Sequence, residues 1–294
     1  VADCATGGTM IHYMISDVIR RAKLEFTVEL PMLAARKWTI LFGLCFQYVH
    51  GIFGQLAHEM HRPMKEPLHD LGFTVFKELG KDKHWVSELL FGILFLSFIL
   101  WSFSPFYFSR KRFYTFVLYA RVLNVIVICQ TLRILSFTST QLPAPNYHCR
   151  LGEPTAVIPP YKTVWDALIV NVERQSGKGC GDLIFSSHTT FALVQVLAYN
   201  YYGSFRPIKI LGFSVVAVLS CLIIASRKHY TVDITVAWYT VPLVFYAVHA
   251  RTTNSHLRDV DSSAQLLPVT STSKVAASNL SYSDIRQSLN PLQL

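Results

Sequence analysis

Six apolar blocks, at residues 38–57, 85–108, 113–137, 183–202, 207–226 and 230–250, govern what this chain can fold into. Crossing the hydrocarbon core of a bilayer takes about 20 helical residues, and so many blocks of that length are rare in water-soluble folds. Composition agrees: 51% of the 294 residues are hydrophobic, only 15% are charged, and the mean hydropathy is +0.33. The expected fold is all-α, a polytopic membrane protein with six transmembrane helices. The second and fifth blocks are the cleanest, while the first, third and fourth carry polar residues.

Charge sets the expected orientation. Arg20, Arg21, Lys23, Arg36 and Lys37 precede the first span, Arg110, Lys111 and Arg112 separate the second from the third, Arg206 and Lys209 separate the fourth from the fifth, and Arg251 and Arg258 follow the sixth. Basic residues in short flanks favour the cytosolic side. With both termini cytosolic, all four clusters fall there. The loop 58–84, which then faces the lumen, is also basic and works against this orientation. The net charge of +9 is accounted for by topology and attraction to anionic lipid. No nucleic-acid-binding pattern is present, so nucleic acid is not an expected partner.

Three regions follow. Residues 1–37 form a cytosolic segment in which Ile11, Met14, Ile15, Val18 and Ile19 recur at helical spacing. That amphipathic helix either lies on the cytosolic leaflet or packs on the bundle. The segment lacks the apolar core and cleavage site of a signal peptide, so insertion is expected to rest on the first span. Residues 38–250 form the transmembrane catalytic domain. Residues 251–294, rich in Ser and Thr, are expected to be a disordered cytosolic tail. The long Pro-rich loop 138–182 holds Cys149 and Cys180 on the expected lumenal side. An oxidising lumen can join them, but their spacing leaves that open. "HEMHRP" (58–63) places its histidines three apart, not the four of a zinc-protease helix, and reads as a loop.

The chemistry concentrates in two short stretches. In "SRKHYTVDITVAWYTV" (226–241), His229 and Asp233 are four apart and share a helix face, where a carboxylate can fix an imidazole's tautomer and stabilise its cation. The alternative is an interfacial histidine followed by an acidic residue in a helix's first turn. In "CGDLIFSSHTTF" (180–191), His188 opens the fourth span. The span count brings His188, His229 and Asp233 to one side of the membrane. Ionisable groups at membrane depth are costly and usually functional. Two histidines and a carboxylate suit phosphoryl transfer: a nucleophile, its orienting acid and a proton donor for the leaving alcohol.

At these residues the chain resembles the sphingomyelin-synthase-like family of the lipid phosphate phosphatase superfamily, and within it the plant-type inositol phosphorylceramide synthases. The resemblance covers about residues 36–250. The family's third motif, Cys-Gly-Asp, three residues, then Ser-Gly-His-Thr, appears as Cys180, Gly181, Asp182, Ser186, Ser187, His188 and Thr189, with Ser187 in place of Gly. The fourth appears as His229, Tyr230, Thr231, Asp233 and Ile234, and Phe245 and His249 also match, while Trp238 and Val248 depart. The second is partial, in Arg121, Arg133 and Thr140, without its residues at Ala120 and Gln130. The first is faint, in Pro67, Leu68 and Asp70, with His69 in place of Pro. The departures, and the run 139–149, lean toward the inositol-transferring branch. The resemblance implies a catalytic triad of His188, His229 and Asp233. It also implies membrane lipids as partners, with phosphoinositol passing from phosphatidylinositol to ceramide and diacylglycerol released in a Golgi membrane, the site facing the lumen. No cofactor or metal is expected. Arg133 is a candidate phosphate clamp, the alternative being an interfacial anchor. Asp182, Ser187 and Tyr230 are further substrate-binding candidates. Arg121 lies roughly 18 Å from Arg133 along the same helix and is assigned a structural role.

Other readings stay open: transfer of phosphocholine or phosphoethanolamine within the same fold, a lipid phosphatase, and a transporter or scaffold whose histidines couple protons or pack. The phosphatase motif Ser-Arg-x5-His-x3-Asp is not met, since one residue rather than five separates Arg227 from His229.

Overall fold

A computed structural model describes residues 3–83, 85–106, 113–157 and 179–266, with side chains between residues 15 and 252 of those stretches. The basic turn at 110–112 and the tail beyond residue 266 lie outside them. The described residues are helical, without a strand: α1 (Asp3–Met60), α2 (Leu71–Val75), α3 (Trp85–Ser102), α4 (Thr115–Ser139), α5 (Ser187–Tyr202), α6 (Arg206–Ala225) and α7 (Thr231–Leu266).

Five of these helices are long and apolar enough to cross a membrane. They carry the first, second, third, fifth and sixth predicted spans. The fourth is shorter than expected. Its helix begins at Ser187 rather than 183 and has 16 residues, because the Ser186 hydroxyl caps it by accepting from the Thr189 amide at 3.4 Å. Residues before this cap form an extended lead that carries part of the functional site. Nor does α1 break where the first span was expected to start: it runs unbroken through residue 37. The helical spacing of 11–19 therefore belongs to the same rod as the span. At the other end α7 continues past Ala250 to Leu266. The "HEMHRP" stretch, expected as a loop, starts as the last turn of α1 and leaves the helix only at His61.

Helix α4 stands at the centre. α1 packs along its length, and α5 and α7 pack on its other side. The approach to α1 is close at Gly43, where an added Cβ would sit 2.7 Å from the Leu123 Cβ. One core joins α3 to α7 through Val122, Val125, Ile126, Leu193, Val194, Leu219, Ile223, Ala237 and Phe245. The outward faces remain apolar: Trp38, Phe42, Ile93, Leu96, Ile210, Leu211 and Leu243 are all exposed, as lipid contact requires.

Both ends of the bundle are closed by polar clasps. At one end the Glu29 carboxylate of α1 accepts from the amides of Thr115 (2.7 Å) and Phe116 (3.2 Å), supplying α4 with the N-terminal cap its own Tyr114 does not. At the same end Arg121 donates to the Tyr202 hydroxyl at 2.8 Å. At the opposite end α1, α4 and α6 finish and α3, α5 and α7 begin. There Asp70 caps α2 through the Phe73 amide (3.2 Å) and also accepts from the Thr231 amide (2.9 Å), tying the 61–70 segment to the start of α7. A disulfide joins Cys149 to Cys180 at this end, which answers what spacing left open.

Candidate active site

The site gathers where α3, α5 and α7 begin. Helix α6 ends in a Schellman turn: Arg227 takes a left-handed φ of 55°, its amide donates to Ile224 O (3.0 Å), and the Lys228 amide donates to Ile223 O (3.1 Å). A left-handed conformation costs a non-glycine residue about 1 kcal/mol or more. Here the Arg227 side chain secures it. The guanidinium lies 4.1 Å from the Phe73 ring centroid and donates to the carbonyls of Phe73 (3.2 Å) and Phe76 (3.3 Å). The reversal delivers Lys228 and His229 to the head of α7.

Asp233 is wholly buried one turn into α7. Its Oδ2 accepts from the Tyr230 amide at 2.9 Å and lies 3.3 Å from His229 Nδ1. With Nδ1 facing the carboxylate, Nε2 of His229 is the free nitrogen. The main chain of the same aspartate receives the lead into α5, as the Ser186 amide donates to the Asp233 carbonyl at 3.2 Å. The two stretches singled out in the sequence, more than forty residues apart, thus meet directly.

His188, in the first turn of α5, is half-buried. Its Nε2 lies 3.1 Å from Glu88 Oε2, and its ring meets Phe91 edge-on at 4.9 Å. The other Glu88 oxygen accepts from Lys228 Nζ. Two buried atoms of the cluster have no hydrogen-bond partner among the described residues: His188 Nδ1 and Asp233 Oδ1. Glu88 and Lys228 were not singled out in the sequence. The signal for Glu88 was available, as an acidic residue in the first turn of an otherwise apolar span. For Lys228 there was none, because a lysine before a span also reads as a topology marker.

The substrate-binding candidates are placed less uniformly. Arg133 is buried, and its guanidinium is engaged with protein groups: the Phe185 carbonyl, Asp182 Oδ2 at 2.9 Å and His50 Nε2 at 2.7 Å. Asp182 is the partner in that ion pair. Gly181, just before it, has φ +92°, and an added Cβ would meet the Ala57 carbonyl oxygen at 2.5 Å, so the lead packs directly on α1. Tyr230 donates to the Pro143 carbonyl (2.7 Å) and accepts from the Leu68 amide (3.0 Å). Ser187 occupies the first turn of α5, half-buried beside His188.

A histidine held by an acid at each end of one cluster can act as nucleophile or as proton donor and acceptor. The chain is similar to known proteins. Residues 179–250 match the family model PAP2 superfamily C-terminal. A phosphatidylinositol:ceramide inositolphosphotransferase of Oryza sativa subsp. indica is 49% identical over 255 residues, covering 87% of this chain and 77% of the relative. Phosphatidylinositol:ceramide inositolphosphotransferase 3 of Arabidopsis thaliana is 48% identical over 232 residues, covering 79% of this chain and 80% of the relative. The more distant sphingomyelin synthase-related 2 of Caenorhabditis elegans is 26% identical, covering 80% and 72%.

Proposed function

This chain belongs to the family of phosphatidylinositol:ceramide inositolphosphotransferases, and from that membership we propose that it moves phosphoinositol from phosphatidylinositol to the primary hydroxyl of ceramide, releasing diacylglycerol. The observation that carries the reading is the meeting of His229–Asp233 with the His188 segment through the Ser186–Asp233 contact.

In the first half of the reaction His229 Nε2 attacks the phosphorus. The bond from phosphorus to the diacylglycerol oxygen breaks, and His188 supplies the proton that this oxygen takes up, leaving phosphoinositol on His229. In the second half His188 takes the proton from the ceramide hydroxyl, whose oxygen attacks phosphorus and frees His229. Asp233 holds His229 in the attacking tautomer and stabilises its cationic phosphorylated form. Glu88 holds His188 by Nε2, so Nδ1, buried without a partner, is the nitrogen that exchanges the proton. Arg133, Asp182 and Tyr230 build the frame in this reading, since their polar groups are already committed within the protein, and Ser187 remains the candidate for contact with the head group.

The bundle spans the membrane six times in this reading, α5 crossing as the fourth helix with its extended lead, and both termini are cytosolic. The disulfide supports a lumenal site, because Cys149–Cys180 lies at the same end as the histidines and disulfides persist outside the reducing cytosol. The membrane is that of the Golgi.

The test is an assay of the purified chain in liposomes with labelled ceramide and one phospholipid donor at a time: phosphatidylinositol, phosphatidylcholine or phosphatidylethanolamine. Labelled inositol phosphorylceramide from the first donor alone is expected. A phosphocholine or phosphoethanolamine product overturns the head-group assignment, and release of free inositol phosphate without ceramide makes the protein a lipid phosphatase.

A further inference from the structure

The carboxylate behind His188 is shared. Glu88, in the first turn of α3, gives Oε2 to His188 and Oε1 to Lys228. Lys228 is held there by its backbone, through the Schellman turn that ends α6, and its side chain is only 11% exposed. Its neighbour Arg227 is turned the other way, onto Phe73, and Arg133 is committed to Asp182. A buried ammonium is costly unless it is paired, so this lysine and this carboxylate stay together.

The sharing has a consequence for the imidazole. A carboxylate with no other partner stabilises the cation of the histidine it touches and holds the proton on it. The proposed transfer requires the opposite, since His188 must release a proton to one alcohol and take one from another. We infer that Lys228 is a positioning residue for this histidine: by holding one oxygen of Glu88 it fixes the other on His188 Nε2, and by balancing the carboxylate's charge it keeps the imidazole free to cycle between its two forms. The inference deepens the reading of His188 as proton donor and acceptor and rests on it. Among the described residues, the charged and titratable groups facing the cluster are Glu88 on α3, Lys228 and His229 in the α6–α7 turn and Asp233 on α7. Phe91 on α3 contributes an apolar edge. Of these, Lys228 is the permanent cation.

The experiment reads the protonation of His188 directly. Diethyl pyrocarbonate acylates neutral imidazole, and mass spectrometry of the peptide containing His188 across a pH series gives its titration midpoint in the full chain in nanodiscs. Lys228→Gln, which keeps a hydrogen-bond donor for Glu88 without the charge, is expected to raise the midpoint by about one pH unit. At a fixed pH below the midpoint, modification of His188 then becomes about tenfold slower. Lys228→Arg should stay close to wild type. Glu88→Gln should lower the midpoint, because the carboxylate is lost and the cation remains. In the transferase assay the alkaline limb of the pH–rate profile should move upward with Lys228→Gln by the same interval. An unmoved midpoint in Lys228→Gln, or an Arg variant that behaves like Gln, overturns the inference and leaves Lys228 as a tie between α3 and the turn. The acylation arm needs no substrate, so it decides the role of Lys228 even where the wild-type chain fails to transfer phosphoinositol, an outcome that would instead count against the proposed function.

Discussion

Arg133 of α4 and Asp182 of the lead into α5 form an ion pair of 2.9 Å, with the arginine side chain 2% exposed. The pair sits between the central helix and the segment that ends at His188, so it transmits the position of α4 to the site. Removing one partner of a buried pair leaves an uncompensated charge and costs about 3–5 kcal/mol. Arg133→Ala and Asp182→Ala are each expected to lower the midpoint of thermal unfolding in detergent. The double variant should lose less than the sum, with a coupling of about 1–3 kcal/mol. Additive losses would mean the two residues act separately.

The His229–Asp233 contact leads to a graded expectation. His229→Ala should reduce transfer by more than about a thousandfold at unchanged abundance, since nucleophile and intermediate are lost together. Asp233→Asn should keep part of the activity, about 1% or more, if its work is to orient Nδ1. Wild-type protein incubated with inositol-labelled phosphatidylinositol alone and quenched in mildly alkaline denaturant, where a phosphorus–nitrogen bond survives, should carry label on the peptide containing His229. Its absence, together with full activity, would point to direct transfer between the two lipids.

Glu88 and His188 give a parallel case. His188→Ala is expected to lower the rate by about a hundred- to ten-thousandfold, the range of a positioned acid–base group. Glu88→Gln should lower it less, because the amide can still accept from Nε2. Transfer rates with saturating donor, compared at matched abundance, check both. Equal losses in the two variants would place Glu88 in direct contact with the substrate.

The disulfide closes a loop of sequence separation 31. Chain entropy assigns such a closure about 3–4 kcal/mol. Replacing both cysteines by alanine should lower the thermal midpoint and speed proteolysis of the segment around residues 144–156, read by limited digestion and mass spectrometry.

His61, just beyond α1, lies 3.3 Å by its Nε2 from the Cys149 carbonyl, while its Nδ1 is buried without a partner. Burial lowers its pKa below the ordinary histidine value, and the Cys149 carbonyl opposes this in part. A depressed folded-state pKa means the neutral ring is favoured in the folded protein. Its stabilisation is fully present above the unfolded value and is lost as pH falls through the folded one. Acidification below about 6.5 should therefore loosen the disulfide-bearing segment. His61→Gln should flatten that dependence in pH-resolved thermal melts.

Some of this was legible because it depends on local pattern. The spanning blocks and the placement of His188 at the start of a span follow from the thickness of a bilayer, whereas His229, expected on a helix face with Asp233, sits in the turn before α7 and reaches the carboxylate from there. Other features were hidden because they depend on contacts between distant segments. Arg133 looked free for a phosphate, yet the lead into α5 folds over it. α5 itself is shorter than its apolar block because the Ser186 hydroxyl starts the helix there. The backbone reversal at Arg227, which aims Lys228 at Glu88, leaves no mark in composition.

By itself the sequence determined an all-helical bundle with apolar outward faces and singled out the residues proposed for phosphoryl chemistry, since hydrophobic length and side-chain type are properties of short stretches. Only the tertiary structure decided which acid lies against which histidine, that Glu88 is divided between His188 and Lys228, and that Arg133 is paired with Asp182. Those pairings join residues from separate helices, and they form only because the packed helices bring the groups within hydrogen-bond reach, where leaving them unpaired would be costly.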